Sequence, residues 1–113
     1  MRIAAKLFLI GLIMSASVLV GFAEGTGAAT THLYLDIHRN MHGLTAEGLA
    51  TAHANDLKVE GKYGVKFQKY WYDAKTGTVF CLAEAPSAEA MQKVHREANG
   101  IFADETIQVS EGH

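Results

Sequence analysis

The chain has 113 residues, with 10 Lys and Arg, 12 Asp and Glu, 6 His and a single cysteine, and its formal net charge is −2. A chain of this length forms one small domain with a modest core, and one cysteine cannot make an intramolecular disulfide to stabilise it. The acidic balance argues against nucleic acid or an anionic membrane as a partner.

The first 23 residues have the three parts of a secretory signal peptide. Arg2 and Lys6 give a basic start, residues 7–20 carry no charge, and Ala23 ends a small-x-small triplet that suits signal peptidase. The uncharged run of 14 residues is shorter than the roughly 18 to 20 residues that span a bilayer. We therefore expect an exported protein, periplasmic or secreted, with an uncleaved anchor as the alternative.

The expected cleavage divides the chain into a signal peptide (1–23), a short linker (24–31) and one domain (32–113). A cut after Ala29 is the alternative, because the linker is small and polar. Both charges of the leader are positive, so the 90 residues that follow Ala23 carry 8 basic and 12 acidic side chains, a net charge of −4. No membrane is expected to bind this acidic domain after cleavage.

Residues 32–38 alternate between apolar and polar side chains, which predicts a half-buried strand. Its apolar side chains are expected to face the core, which would leave the polar ones on the other face. The predicted inward-facing residues are Leu33, Leu35 and Ile37. The predicted outward-facing residues are Tyr34, Asp36 and His38.

Thr45 is a suitable N-cap for a helix that runs to about residue 60, where glycines end it. Two further strands are predicted at residues 65–73 and 78–84, the first of them rich in aromatic side chains. A hairpin loop that ends at Gly77 joins them. The helical spacing predicts an inner stripe formed by Leu49, Ala52, His53 and Leu57.

A second helix is predicted from its cap at Ser87 to about Asn99, with Gly100 as its C-cap, and a last strand at 105–109. The order β-α-β-β-α-β is that of the ferredoxin-like α+β fold, a four-stranded antiparallel sheet with two helices on one face. The open face is expected to be a dimerisation surface, which would help so small a domain to bury apolar area. The inner stripe of the second helix is predicted to be Met91, Val94, His95 and Ala98.

Histidine is the residue type that suggests chemistry, because the chain has no phosphate-binding loop, nucleophile elbow or zinc-finger cysteine pair. His53 and His95 each fall on the inner stripe of a helix, where an unsatisfied polar group costs roughly 1 to 3 kcal/mol. Each is therefore either a hydrogen-bonded core histidine or a metal ligand. Asp56, three residues after His53, is a second ligand or orients the ring of His53.

Asp36 and His38 form a second candidate pair, two residues apart on the first strand. On an open sheet face, a two-fold dimer would bring two such pairs together as a mixed nitrogen and oxygen site for a divalent cation. His42 in the next loop could join the same ion, and the alternative is a solvated pair without a ligand. Cys81 is expected to be a shielded thiol that acts as a small hydrophobe, with a metal or redox role as the alternative.

A set of short motifs covers most of the chain from about Leu33 to Val109. The motifs are residues 52–57 (AHANDL), 63–65 (YGV), 70–73 (YWYD), 77–86 (GTVFCLAEAP), 94–98 (VHREA) and 103–105 (ADE). In this order they resemble a domain-of-unknown-function family of small ferredoxin-like proteins that includes a nickel-binding member. The resemblance implies a homodimer that binds nickel or a similar divalent ion.

The leading hypothesis is an exported homodimeric protein that binds nickel or another divalent transition metal, for sequestration or delivery. One alternative is a small dimeric enzyme in which His53 or His95 acts as a general base. Another is an interaction module whose open face binds a protein partner. The candidate metal ligands are Asp36, His38, His53 and His95.

Overall fold

The computed structural model describes residues 30–113, so the predicted signal peptide and most of the predicted linker lie outside the described range. The elements, in chain order, are β1 (His32–His38), α1 (Ala46–Val59), a 3-10 turn (Glu60–Tyr63), β2 (Lys66–Asp73), β3 (Thr78–Ala85), α2 (Ala88–Asn99) and β4 (Glu105–Gln108). Within the described range, no helix has the length and apolarity needed to cross a membrane.

The four strands form one antiparallel sheet in the order β2-β3-β1-β4. Both helices cover the same face of this sheet. Phe67 of β2 contacts His53 of α1 and His95 of α2, with ring centroids 6.5 and 5.1 Å apart. The ferredoxin-like α+β fold predicted from the order of the elements is therefore confirmed.

Side-chain caps hold both helix N-termini at the positions predicted from the sequence. Thr45 Oγ1 accepts a hydrogen bond from the N–H of Gly48 at 3.0 Å, and Ser87 Oγ accepts one from the N–H of Ala90 at 3.1 Å. Gly100 ends α2 with a φ of 68°, in the left-handed region that glycine adopts without strain. These caps fix where the inner stripe of each helix begins.

The apolar core is small and lies between β2, β3 and α2. Ala83 and Ala85 of β3 are fully buried, and their short side chains let α2 approach the sheet closely. Four polar side chains are buried next to this core, and they form the site described below. The core residues are Val65, Phe67, Ala83, Ala85, Ala90, Met91 and Val94.

The prediction for the two faces of β1 is wrong. Asp36 and His38 are buried under the helices, with 0 % and 2 % of their surfaces exposed. Tyr34 packs against the core and does not lie on the open face. Leu33, Leu35 and Ile37, expected to face the helices, alternate with these residues and lie on the open face.

The register of β1 with β3 explains this orientation. Tyr34 lies opposite Ala83, and Asp36 lies opposite Cys81. Residues directly opposite in an antiparallel pair share a face, so β1 must turn these residues toward the helices once Ala83 is in the core. The alternation of β1 is misleading because its buried carboxylate, Asp36, has hydrogen-bond partners from α2 and β4.

The inner stripe of α1 also differs from the prediction at its C-terminal end. Leu57 is 44 % exposed, whereas Asp56 is only 4 % exposed. The stripe of Leu49, Ala52 and His53 therefore continues to Asp56. A carboxylate occupies this buried position because a histidine of α2 binds it, as described below.

An irregularity in β2 brings a tyrosine to the face covered by the helices. Phe67 lies opposite Ala83, and Tyr70 lies opposite Cys81, with a register shift between Phe67 and Lys69. Regular alternation would place Phe67 and Tyr70 on opposite faces, and the extra residue of the bulge places both on the same face. Tyr70 thereby reaches the cavity described below.

The β2–β3 hairpin holds the loop that follows β1. The N–H of Met41 donates to the carbonyl of Gly77 at 2.9 Å. Gly77 has a φ of 69°, and a Cβ atom at this position would lie 2.6 Å from the carbonyl oxygen of Met41. Only glycine fits this contact, which fixes Met41 in the wall of the cavity.

Candidate functional site

A histidine held between two carboxylates lies at the centre of the buried polar cluster. His95 Nε2 donates to Asp36 Oδ2 at 2.6 Å, and His95 Nδ1 donates to Asp56 Oδ1 at 3.2 Å. The three side chains come from α2, β1 and α1 respectively. This arrangement fits an imidazolium, which donates a hydrogen bond from each of its two ring nitrogens.

The two carboxylates outweigh the effect of burial on the charge of His95. Burial is the largest single influence on the pKa of His95, and it lowers this pKa. The hydrogen bonds and the negative charges of Asp36 and Asp56 act in the opposite direction and raise the pKa of His95 to about 9. His95 is therefore protonated at neutral pH.

Neutral side chains complete the hydrogen bonding of both carboxylates. The hydroxyl of Thr106 on β4 donates to Asp36 Oδ1. Asn99 Nδ2 donates to Asp56 Oδ1 at 3.1 Å and to the carbonyl of Ala52 at 3.0 Å. The cluster thus joins β1, β4, α1 and α2, and it holds the imidazolium in one orientation.

A cavity of about 50 Å³ lies next to this cluster, between α1, α2 and the sheet. This volume is enough for an ion or a few water molecules, because one water needs roughly 10 to 15 Å³ measured in this way. Its wall is mostly apolar, with histidine, carboxylate and thiol groups among the lining side chains. The residues of the wall are His38, Met41, Leu49, Ala52, His53, Asp56, Tyr70, Val79, Cys81, His95, Asn99 and Ile101.

His38 has a buried ring nitrogen that lacks a hydrogen-bond partner. Its Nδ1 atom is the one buried side-chain nitrogen or oxygen without such a partner among the described residues. The ring lies edge-on to His95, with centroids 4.9 Å apart. Burial and the positive charge of His95 lower the pKa of His38, so the ring is neutral at neutral pH and has a nitrogen lone pair available for a ligand.

Cys81 of β3 adds a sulfur atom to the same cavity. The ligand atoms of His38, Cys81 and His95 all lie within 4.8 Å of one another. Burial, together with the negative charges of Asp36 and Asp56, raises the pKa of the Cys81 thiol to about 12. The thiol is therefore protonated and a poor nucleophile at neutral pH.

All four candidate ligands from the sequence lie in or beside this cavity. Asp36, His38 and His95 form one cluster, and His53 lies in the cavity wall with its ring 5.0 Å from that of Tyr70. Their arrangement differs from the expectation in two respects. The Asp36–His38 pair is buried within one protomer and does not lie on the open face, and Asp56 binds His95 and does not orient His53.

Sequence reasoning missed the hydrogen-bonding roles of Asn99 and Thr106. The sequence places Asn99 only at the end of α2, and Thr106 only in a short strand. Their contacts with Asp56 and Asp36 span 43 and 70 residues along the chain. No local pattern signals such contacts, although the predicted fold does place β4 beside β1. His42 is exposed in its loop and is absent from the cavity wall.

Comparisons with known proteins agree with this architecture. The chain resembles a solved structure described as SCO4226 from Streptomyces coelicolor A3(2), with a TM-score of 0.68 and 46 % sequence identity over 72 % of this chain and 99 % of that one. A search of curated proteins gave no match. The profile of the family described as nickel responsive protein, SCO4226-like, matches residues 34–109. The chain belongs to this SCO4226-like family.

Proposed function

We propose that this protein is an exported homodimer that binds nickel or a similar divalent transition metal, for sequestration or delivery. The observation that carries the proposal is the unpartnered Nδ1 of His38, buried beside a cavity in a member of a family described as nickel responsive. A buried polar atom without a partner costs free energy. A bound cation would remove this cost by taking the nitrogen as a ligand.

The donor atoms of the cavity fit such an ion. Imidazole nitrogen and cysteine sulfur are ligands suited to nickel, zinc and copper, whereas magnesium and calcium prefer oxygen. Of the four ligands proposed from the sequence, Asp36 and His95 bind each other and would have to separate before either could bind a metal. His38 is the histidine best placed to bind first, and His53 lies in the same cavity wall.

The charge of His95 weighs against its role as the general base of an enzyme. A general base must be unprotonated at the working pH. With a pKa of about 9, His95 holds its proton at neutral pH, and both of its nitrogens donate to carboxylates. The buried cluster therefore favours binding over proton abstraction at this residue.

The open face of the sheet supports the homodimer. Leu35 of β1 lies opposite Leu82 of β3 and Ile107 of β4, and Trp71 of β2 lies opposite Phe80 of β3. Trp71 and Ile107 are exposed in the single chain. A contiguous apolar surface of this kind is unusual on a monomer, because its hydration costs free energy that pairing with a second sheet would recover.

The experiment that tests the function is isothermal titration of the mature protein with Ni²⁺, Zn²⁺ and Cu²⁺. We expect binding tighter than about 1 mM for at least one ion, equivalent to more than about 4 kcal/mol. We expect His38→Ala to weaken binding by about tenfold or more, as removal of groups around metal sites does. His42→Ala is the matched control, because His42 is exposed in a loop outside the cavity. The absence of binding tighter than about 1 mM for every ion would contradict the proposal.

A further inference from the structure

The potential ligand atoms of the cavity are not equally available to an ion. His95 offers none in its present state, because both ring nitrogens donate hydrogen bonds to carboxylates. His38 has a buried Nδ1 without a partner. The sulfur of Cys81 lies within 4.8 Å of a ring nitrogen of His38 and lines the same cavity. A ring nitrogen of His38 and the sulfur of Cys81 could therefore bind an ion without disturbing the carboxylates.

The spacing suits one ion bound to both side chains. Bonds from a first-row metal to imidazole nitrogen and to thiolate sulfur are about 2.0 and 2.3 Å long. To share one ion at a tetrahedral angle, two ligand atoms up to 4.8 Å apart would have to approach to about 3.5 Å, a movement of about 1.3 Å at most. The cavity of about 50 Å³ leaves room for water or for His53 at the remaining coordination positions.

We propose that the ion binds inside each protomer, with Cys81 as a thiolate ligand beside His38, while His95 stays bound to Asp36 and Asp56 and is not a ligand. This inference rests on the proposed metal-binding function and specifies where and how the metal binds. On binding, the S–H bond of Cys81 breaks, a sulfur–metal bond forms, and the proton leaves to solvent without any change of oxidation state. Sulfur ligation favours nickel, zinc and cobalt over magnesium, calcium and manganese.

The test is the near-ultraviolet absorption of the reduced mature protein during titration with Ni²⁺, and with Co²⁺ as a second probe. Sulfur-to-metal charge transfer gives absorption that nitrogen and oxygen ligands do not give. We expect this absorption to rise until one ion is bound per protomer. We expect Cys81→Ser to abolish it and to weaken Ni²⁺ binding by about tenfold or more.

Two controls separate ligation from folding. His42→Ala, in an exposed loop, should keep the absorption and the affinity, and far-ultraviolet circular dichroism should show that each variant is folded. Cys81→Ala serves as a second variant if Cys81→Ser does not fold, and the wild-type spectrum is informative by itself. Ni²⁺ binding without charge-transfer absorption would overturn this inference and leave the proposed function standing. The absence of binding of Ni²⁺, Co²⁺, Zn²⁺ and Cu²⁺ would overturn both.

Discussion

The two faces of the sheet differ in a way that reverses the usual distribution of polar residues. The face covered by the helices buries two carboxylates and two histidines next to a small apolar core. The open face displays leucine, isoleucine, phenylalanine and tryptophan side chains. A domain this small is stabilised most when its apolar side chains are buried in the core. Apolar side chains on the outside therefore indicate that a second surface covers them. The polar interior, in turn, indicates a site for a ligand.

The buried ion pairs on the covered face should stabilise the fold. Breaking one of them is expected to have the largest effect of any substitution on the free energy of unfolding. Asp36→Ala would leave His95 with one carboxylate and Thr106 without its acceptor. Breaking a buried ion pair costs about 3 to 5 kcal/mol, and we expect a loss of this size in the free energy of unfolding measured with urea. Asp36→Asn, which keeps an acceptor oxygen, should lose less.

Glu111→Ala is the matched control for Asp36→Ala, because Glu111 is an exposed carboxylate near the C-terminus. It should change the free energy of unfolding by no more than about 0.5 kcal/mol. The protein concentration must be the same in all measurements, since the stability of a dimer depends on it. Equal effects of Asp36→Ala and Glu111→Ala would show that the buried cluster does not stabilise the fold.

The pairing of His95 with the two carboxylates should also make stability depend on pH. This effect is expected to be somewhat smaller than that of Asp36→Ala. The pKa of His95 is raised from 6.5 to about 9 in the folded protein. Its stabilising contribution is therefore fully present below pH 6.5 and is lost as the pH rises through about 9. A shift of this size corresponds to a loss on the order of 3 kcal/mol in the free energy of unfolding.

Two neighbouring groups define the rest of this pH profile. The raised pKa of Cys81 adds to the loss at alkaline pH, because the unfolded chain then ionises its thiol more readily. The lowered pKa of His38 decreases the free energy of unfolding at acidic pH. The reason is that the unfolded chain binds a proton at this histidine more readily than the folded protein does. Urea unfolding across the pH range checks the profile, and a His95→Gln variant should lack most of the alkaline decrease. A wild-type stability that stays constant up to pH 9 would contradict the charged state assigned to His95.

A charge introduced on the open face should change the oligomeric state. Among the expected effects, this one should alter the fold of each protomer least. Leu35→Glu places a charge at the centre of the apolar surface, between Leu82 and Ile107. We expect analytical ultracentrifugation to show a dimer for the wild type and a monomer for Leu35→Glu. Leu57→Glu is the matched control, since Leu57 is an exposed leucine of α1, and it should remain dimeric. A monomeric wild type would remove the role proposed for this face.

The sequence predicted the fold more completely than the site. Local signals were sufficient for the elements: Thr45, Ser87 and Gly100 mark helix ends, and their capping geometry is determined by adjacent residues. The orientation of β1 could not be predicted in this way. An apolar stripe at Leu33, Leu35 and Ile37 normally faces a core, and only the register with β3 shows that it lies on the open face.

The candidate site was predicted as a set of residue types and not as an arrangement. Histidines on the inner stripes of two helices, His53 and His95, suggested a buried site, and the structure places both at the cavity. The partners of His95 come from positions 39 and 59 residues away. Contacts at such separations depend on tertiary packing, which hydrophobic periodicity does not encode. For Cys81 the sequence leaves a metal role as the alternative to a shielded thiol, and its position beside His38 supports that alternative.

Anomalous X-ray diffraction from crystals of the nickel-loaded mature protein tests the central claim most directly. Data collected at the nickel absorption edge locate the ion without any assumption about its ligands. The account predicts an anomalous peak inside each protomer, in the cavity between His38 and Cys81. Peaks confined to the protein surface or to the interface between protomers, with this cavity free of metal, would contradict it.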